Sequence, residues 1–221
     1  MSLDEARGRR RDTQDEILEA AFAHVPFDGW SVKALKAGAR AAGHPEVEAR
    51  RLFNGGTREM ARHAADLFDR RMLAELEAMD LESMRIRDRV TAGVRARIEA
   101  MAPHREAVKR LASFLALPGN AVMAGRLAWH TCSLIWYAAG DRAADFNHYS
   151  KRGLLLAVYS STLLCWLADE TDGYEATWAF LDRRIANVMT VPKLQANARA
   201  RVGAVLDRLP NPFRLARSGG H

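Results

Sequence analysis

Strand signals are almost missing from these 221 residues. Long β-branched runs are absent, and Ala, Leu, Arg, Glu and Met fill the chain, so no sheet is expected. Cysteine is scarce. Cys132 and Cys165 both lie in apolar helical stretches, which rules out a disulfide framework and suggests buried free thiols in a reducing compartment. No apolar signal-peptide core follows the charged start, and Arg7, Arg9, Arg10 and Arg11 are interleaved with Asp4, Glu5, Asp12 and Asp15. Transit peptides are poor in acid. The expectation is a disordered, solvated start over 1–11 and a cytoplasmic chain, peripheral on the inner face of a membrane. The longest apolar run, Leu154 to Ala168, has 15 residues, short of a membrane span and suited to a core helix.

Catalytic constellations are also missing. The stretch "GNAVMAG" lacks the Lys-Ser/Thr of a phosphate loop and has no strand before it. There is no Gly-x-Ser-x-Gly. The histidines (His24, His44, His63, His104, His130, His148 and His221) are scattered, with no Glu-x-x-His pair for a di-iron bundle and no His-Glu-x-x-His zinc helix. Glu59 and His63 share a helix face, and a lone pair of this kind reads as a surface contact. The sequence therefore predicts no enzyme, no catalytic residue, no metal and no cofactor.

Helices fill the chain instead. Asp12 or Thr13 is the expected cap of a first helix to about His24, with Ile17, Leu18, Ala21 and Phe22 on its apolar stripe and Pro26 and Gly29 as its stop. Ser31 caps a second, Val32 to Ala42. His44-Pro45 opens a third, to about Phe53, and Thr57 caps a long helix to about Met79. Further helices are expected over Asp88 to Met101, Arg105 to Leu115, Ala121 to Ala139, Phe146 to Leu167, Glu175 to Met189, and from Pro192 to about Leu209.

Three short helices and then a long one, with the string "ILEAAFAHVPFDGWSVKALKAGARAAG", resemble the opening of TetR-type regulators. In that layout the third helix, "HPEVEARRLF", would enter a DNA groove. Arg50 and Arg51 suit phosphates, whereas Glu46 and Glu48 would repel them. Residues 1–60 carry ten basic and ten acidic groups, while residues 183–221 carry eight basic groups against Asp207. The excess positive charge is therefore not on the part that would bind DNA. No nucleic acid is expected, and a ligand-responsive TetR-type regulator is the alternative reading.

A second resemblance covers 136–189. Ala139-Gly140-Asp141, Asp145-Phe146-Asn147, Tyr149, Lys151-Arg152, Trp178, Phe180-Leu181 and Arg183-Arg184 resemble the signature of the lipid-binding accessory family of coenzyme Q (ubiquinone) biosynthesis. The resemblance implies an all-α, TetR-like helical fold, with a degenerate N-terminal helix-turn-helix (12–56), a helical lipid-binding body (57–190) and a C-terminal amphipathic helix and tail (191–221). It implies binding of an isoprenoid or quinone lipid, presentation to the di-iron demethoxyubiquinone hydroxylase, and a homodimer. The family's partner patch falls on Ser133, Trp136, His148, Tyr149 and Arg152, with Ile135 beside it. Ser133 stands where an acid is usual, and His148 where an aromatic is common.

The two apolar helices supply Leu127, Leu134, Ile135, Leu155, Val158, Leu163 and Trp166. Such residues either line an apolar cavity or fill one another's core, and the resemblance favours the cavity. Leu194, Ala198, Val202, Val205, Leu206 and Leu209 form a last apolar stripe, flanked by Arg199, Arg201 and Arg208. That pattern suits an anionic membrane surface, with the protein body or a dimer mate as the other contact it fits.

Overall fold

The structure, a computed structural model, describes residues 2–141 and 146–188, and among them every regular element is helical. The expected final helix, with Leu194, Ala198, Arg199, Arg201, Val202, Val205, Leu206, Arg208 and Leu209, lies outside the described residues.

Helix α1 (Leu3–Phe22) begins ten residues earlier than its apolar stripe and the caps at Asp12 or Thr13 suggest. Ser2 Oγ accepts from the Glu5 amide at 3.2 Å, and Glu5 Oε2 accepts from the Ser2 amide at 2.9 Å. This reciprocal capping box starts the helix at the chain's first residues, so the expectation of a disordered 1–11 is corrected. Thr13, the expected cap, donates its hydroxyl back to the Arg9 carbonyl inside the helix. Ile17, Leu18, Ala21 and Phe22 are buried on the predicted stripe.

The chain then makes a short helix that was not anticipated, α2 (Val25–Asp28). Pro26 does not act as the expected stop. It sits instead in the first turn of α2, where a missing N–H costs nothing. Helix α3 (Val32–Ala41) is capped by Ser31 as the sequence suggests, with Oγ accepting from the Ala34 amide at 3.2 Å. It lies so close to α1 that a Cβ on Gly38 would stand 2.6 Å from the Ala21 Cα. Helix α4 (Glu46–Leu52) completes the N-terminal unit.

Helix α5 (Gly56–Glu77) joins this unit to the body. Its N-cap is Gly55 rather than Thr57, and the Glu59 carboxylate folds back to accept from the Gly55 amide at 3.1 Å. The supposed Glu59–His63 pair does not form. His63 reaches Asp15 of α1 at 2.6 Å. The neighbouring acids of α1 are held in the same way, His44 meeting Glu16 at 2.8 Å and His104 meeting Glu19 at 2.8 Å. Arg70 adds a 2.7 Å contact to Asp15, and Arg71 a 2.8 Å contact to Glu19. Trp30 is buried and donates Nε1 to the Thr57 carbonyl at 3.1 Å. Phe22 stacks on Phe68 of α5 with ring centroids 5.5 Å apart.

The body comprises α6 (Ile86–Met101), α7 (Arg105–Leu115), α8 (Ala121–Ala138), α9 (Phe146–Ala168) and α10 (residues 175–188). Gly93 lets α6 and α8 approach, since a Cβ there would stand 2.6 Å from Ile135 Cγ2. The α7–α8 junction is pinned to α5 by Arg58, which donates to Asn120 Oδ1 and the Gly119 carbonyl. Past the end of α9, Asp169 accepts from the backbone and hydroxyl of both Thr171 and Thr177, at 2.6 to 2.9 Å. Arg105 donates to the Trp166 and Leu167 carbonyls, which the helix end leaves without partners. No single described helix is long and apolar enough to cross a membrane.

Candidate functional site

Helices α5 to α9 enclose a cavity of about 90 Å³. Half-buried Leu115, Leu127 and Leu163 are part of its lining. Deeper in lie Phe68, Met101 and Val108, all buried. Its inner wall includes three polar side chains, Arg97, Thr131 and Tyr159, at 4%, 1% and 5% exposure. Arg97 Nε donates to Asp69 Oδ1 at 2.8 Å, and the Thr131 hydroxyl lies 2.8 Å from the same oxygen. The Arg97 guanidinium sits 5.3 Å from the centre of the Phe68 ring.

An ion pair buried this deeply holds together because each charge is the other's main compensation. Burial pushes the Asp69 carboxyl above its ordinary range, while Arg97 and the Thr131 hydroxyl pull it back. The neighbouring Cys132 thiol is pushed up to about 12, by burial first and by the Asp69 charge second. A thiol so protonated is no nucleophile. Burial likewise raises the Tyr159 phenol.

The residues proposed from sequence as a lipid site divide into two sets. Leu127 and Leu163 line the cavity. Ile135, Leu155, Val158 and Trp166 belong to the packed core, and Leu134 lies half-buried against it. Sequence reasoning missed the contributions of α5, α6 and α7. A signal for the polar wall was present. Asp69 occupies a core position of α5 with Ala65 and Met72, and Arg97 stands between Val94 and Met101 on the apolar stripe of α6. A charge at helical spacing inside an apolar stripe marks a buried pair.

The expected partner patch divides as well. Tyr149 is 65% exposed and stacks on Trp129 at 6.4 Å. Ser133 is half-buried and returns its hydroxyl to the Trp129 carbonyl. Trp136 and Arg152 are not on the surface, at 7% and 5% exposure. Trp136 fastens α8 to α9, donating Nε1 to the Lys151 carbonyl at 3.2 Å, and Lys151 in turn lies 3.3 Å from Asp141. Their placement at the surface is therefore corrected. The His148 side chain lies outside what the structure describes. Val122 and Tyr137 of α8 and Tyr149 and Leu164 of α9 remain more than half exposed, so each helix of this pair leaves large apolar side chains in solvent among the described residues.

In the N-terminal unit, Glu46 is paired with Arg40 and, at 3.4 Å, with Lys36, and Glu48 lies within 3.4 Å of His44 and 3.8 Å of Arg51. The acids expected to repel phosphates thus also occupy the bases of α3 and α4.

The COQ9 family model matches residues 121–192, the stretch that carries α8, α9 and α10. Over residues 121–192 the chain is similar to COQ9 proteins. The likeness to COQ9 extends beyond that stretch. The human "Ubiquinone biosynthesis protein COQ9, mitochondrial" is 29% identical over 185 residues, spanning 80% of this chain and 58% of the human protein. The Xenopus laevis COQ9-B is 30% identical over 185 residues, 80% of this chain and 63% of its own length. The probable COQ9 of Dictyostelium discoideum is 26% identical over 198 residues, 87% and 64% of the two chains. The chain thus spans about three-fifths of the curated COQ9 proteins it matches. A crystal structure of a TetR transcriptional regulator from Nitrosomonas europaea superposes with a TM-score of 0.66 at 20% identity, over 80% of this chain and 97% of that one. The fold is therefore all-α and TetR-like, as the sequence implied. The expected cytoplasmic placement does not stand, because these COQ9 relatives are mitochondrial by name.

Proposed function

We propose that the chain is a non-catalytic lipid-binding protein of ubiquinone biosynthesis. It binds isoprenoid or quinone intermediates and presents them to the demethoxyubiquinone hydroxylase of the pathway at a membrane. One observation carries this reading: the COQ9 match falls on α8 and α9, the helices that supply Leu127, Thr131, Tyr159 and Leu163 to an apolar recess reaching into the core. The exposed apolar side chains of α8 and α9, Val122, Tyr137, Tyr149 and Leu164, are those to which we assign the homodimer contact or the hydroxylase. The stripe of Leu194 to Leu209, with Arg199, Arg201 and Arg208, is the segment we assign to an anionic membrane surface.

Native mass spectrometry with lipid extraction, on chain purified without detergent, tests the lipid reading. A quinone or isoprenoid near one per chain is the expected result, and a lipid-free chain that takes up none on incubation overturns it. For the membrane segment, deletion of residues 193–221 should abolish flotation with anionic vesicles and leave the thermal unfolding of the remaining body in place. Flotation of the shortened chain would remove that assignment.

A further inference from the structure

The first turns of α1 contribute nothing to the core. No residue from Asp4 to Asp12 is buried, yet the Ser2–Glu5 capping box holds this stretch helical from Leu3 onward. Its inner neighbour is α4. Between the two helices lies a cleft of about 440 Å³ that shares no residue with the smaller recess in the body. Arg9 and Arg10 of α1 line it, and Arg51 of α4 lines it from the other helix. Buried Leu52 is part of the same lining, and Glu48 is the one carboxylate there.

The charges of this cleft do not balance. Glu48 is already answered, with Arg51 at 3.8 Å and His44 at 3.4 Å. Arg9 and Arg10 stand in no ion pair among the described residues. Arginines elsewhere on the molecule do: Arg70, Arg71 and Arg95 each hold a carboxylate at 2.7 to 2.8 Å. Two consecutive guanidinium groups thus bring two unanswered positive charges to one cleft. Like charges held together repel, and an anion between them turns that repulsion into binding.

Charge and shape select the anion. A guanidinium fork fits carboxylate and phosphate oxygens alike. A single carboxylate answers one charge, whereas a phosphoryl group carries up to two and offers three acceptor oxygens. Ligand pockets run from roughly 300 to 1,000 Å³, so the cleft has space for a phosphoryl group and part of the molecule that bears it.

We infer that the cleft between α1 and α4 is a binding site for a phosphoryl group of two or more negative charges, held by Arg9 and Arg10 with Arg51 on the facing helix. The site is independent of the lipid-binding reading above and stands or falls without it.

The test uses the full chain in three forms: unaltered, Arg9→Gln/Arg10→Gln, and Arg7→Gln/Arg11→Gln. The last removes the same charge from α1 at positions that do not line the cleft. All four arginines are exposed, so all three forms should melt alike. Each is titrated calorimetrically with inorganic pyrophosphate and with malonate, and floated with phosphatidylcholine vesicles with and without phosphatidic acid. Pyrophosphate is expected to bind the unaltered chain and the Arg7/Arg11 variant equally, and the Arg9/Arg10 variant about tenfold more weakly, the size of one lost charge-assisted hydrogen bond. If pyrophosphate does not bind but phosphatidic acid recruits the chain and only the Arg9/Arg10 variant loses that recruitment, the phosphoryl group belongs to a lipid headgroup. Equal losses in the two variants would mean diffuse surface charge and overturn the site, as would a loss in neither. Malonate binding as tightly as pyrophosphate overturns the phosphoryl class. A random DNA duplex that binds more tightly than pyrophosphate, and depends on Arg9 and Arg10, overturns the small-molecule site in favour of a nucleic-acid backbone.

Discussion

A buried pair such as Asp69–Arg97 is worth less as an attraction than as a mutual obligation. Arg97→Met leaves the Asp69 carboxylate in the core without its cation, and is expected to cost about 3–5 kcal/mol in urea unfolding. Asp69→Leu/Arg97→Met removes both charges and should recover most of that loss. If the double variant is no more stable than Arg97→Met, the pair is not what the single change breaks. Asp169 works differently. Its carboxylate accepts four hydrogen bonds from Thr171 and Thr177, which hold its pKa well below the usual carboxylate range, the side-chain bonds to Thr171 and Thr177 contributing most. A carboxyl depressed in the fold stabilises it above its unfolded pKa of about 4 and loses that contribution as pH falls below it. Asp169→Ala should cost about 2 kcal/mol at pH 7, and the gap to the parent should narrow as pH drops from 4 toward 2. A gap that stays constant across that window would show that Asp169 contributes through packing alone. Neither cluster was read from the sequence. Asp69, Arg97 and Thr131 come from three helices, and Asp169 acts on residues past a helix end. Only the position of a charge inside an apolar stripe pointed toward the first.

At the scale of the elements, two glycines set helix spacings and differ in what stands opposite them. At Gly38 a methyl group would meet the Ala21 backbone at 2.6 Å, whereas at Gly93 it would meet the end of the Ile135 side chain at 2.6 Å. Backbone cannot step aside as a side chain can. Gly38→Ala should therefore destabilise by about 2–3 kcal/mol and Gly93→Ala by less, with Ile135→Ala, which removes the Cγ2 that Gly93→Ala meets, costing less in the Gly93→Ala background than alone and no such rescue at Gly38. Thermal melts of the single and combined variants check this ordering, and a reversed order refutes it. The elements themselves were largely legible. Ser31 as a cap, the end of α3 near Ala42 and Arg105 to Leu115 as a helix all follow from punctuation and period. The starts of α1 and α5 were not. The Ser2/Glu5 box lies in the sequence as Ser-x-x-Glu but ahead of any apolar stripe, and the hydrophobic period marks only the later, buried part of the helix. At α5, Glu59 caps from within the helix, a return that spacing alone does not distinguish from an i,i+4 surface pair. Helix α2 is one turn, too short to show a period.

For the whole molecule, the exposed apolar side chains of α8 and α9 are what a single chain in water leaves unsatisfied. If two copies meet there, Tyr137→Glu with Leu164→Glu should convert a dimer to a monomer in sedimentation and leave the circular dichroism spectrum in place. A doubly substituted chain that still sediments as a dimer moves the contact elsewhere. The TetR-like plan was legible because three short helices before a long one is a local pattern. The cavity was not, since its walls are gathered from five helices and only α8 and α9 had been suspected.

The Phe22–Phe68 stack gives the molecule one more property. Phe68 is a wall of the cavity, and Phe22, at 5.5 Å, is the last residue of α1. His104 closes the same cluster, 4.5 Å from Phe22 and 6.2 Å from Phe68. The cavity and the N-terminal helices are thus separated by a single aromatic ring, and rings in a close-packed interior pass displacement on rather than absorb it. We expect the amides at the α1–α2 junction to report on the cavity. Their hydrogen exchange should slow when a decyl quinone is added, although no atom of that junction lines the recess, and exchange that ignores the ligand would mean the two halves are mechanically independent. The N-terminal helices would then serve as the gauge of whether the body is full.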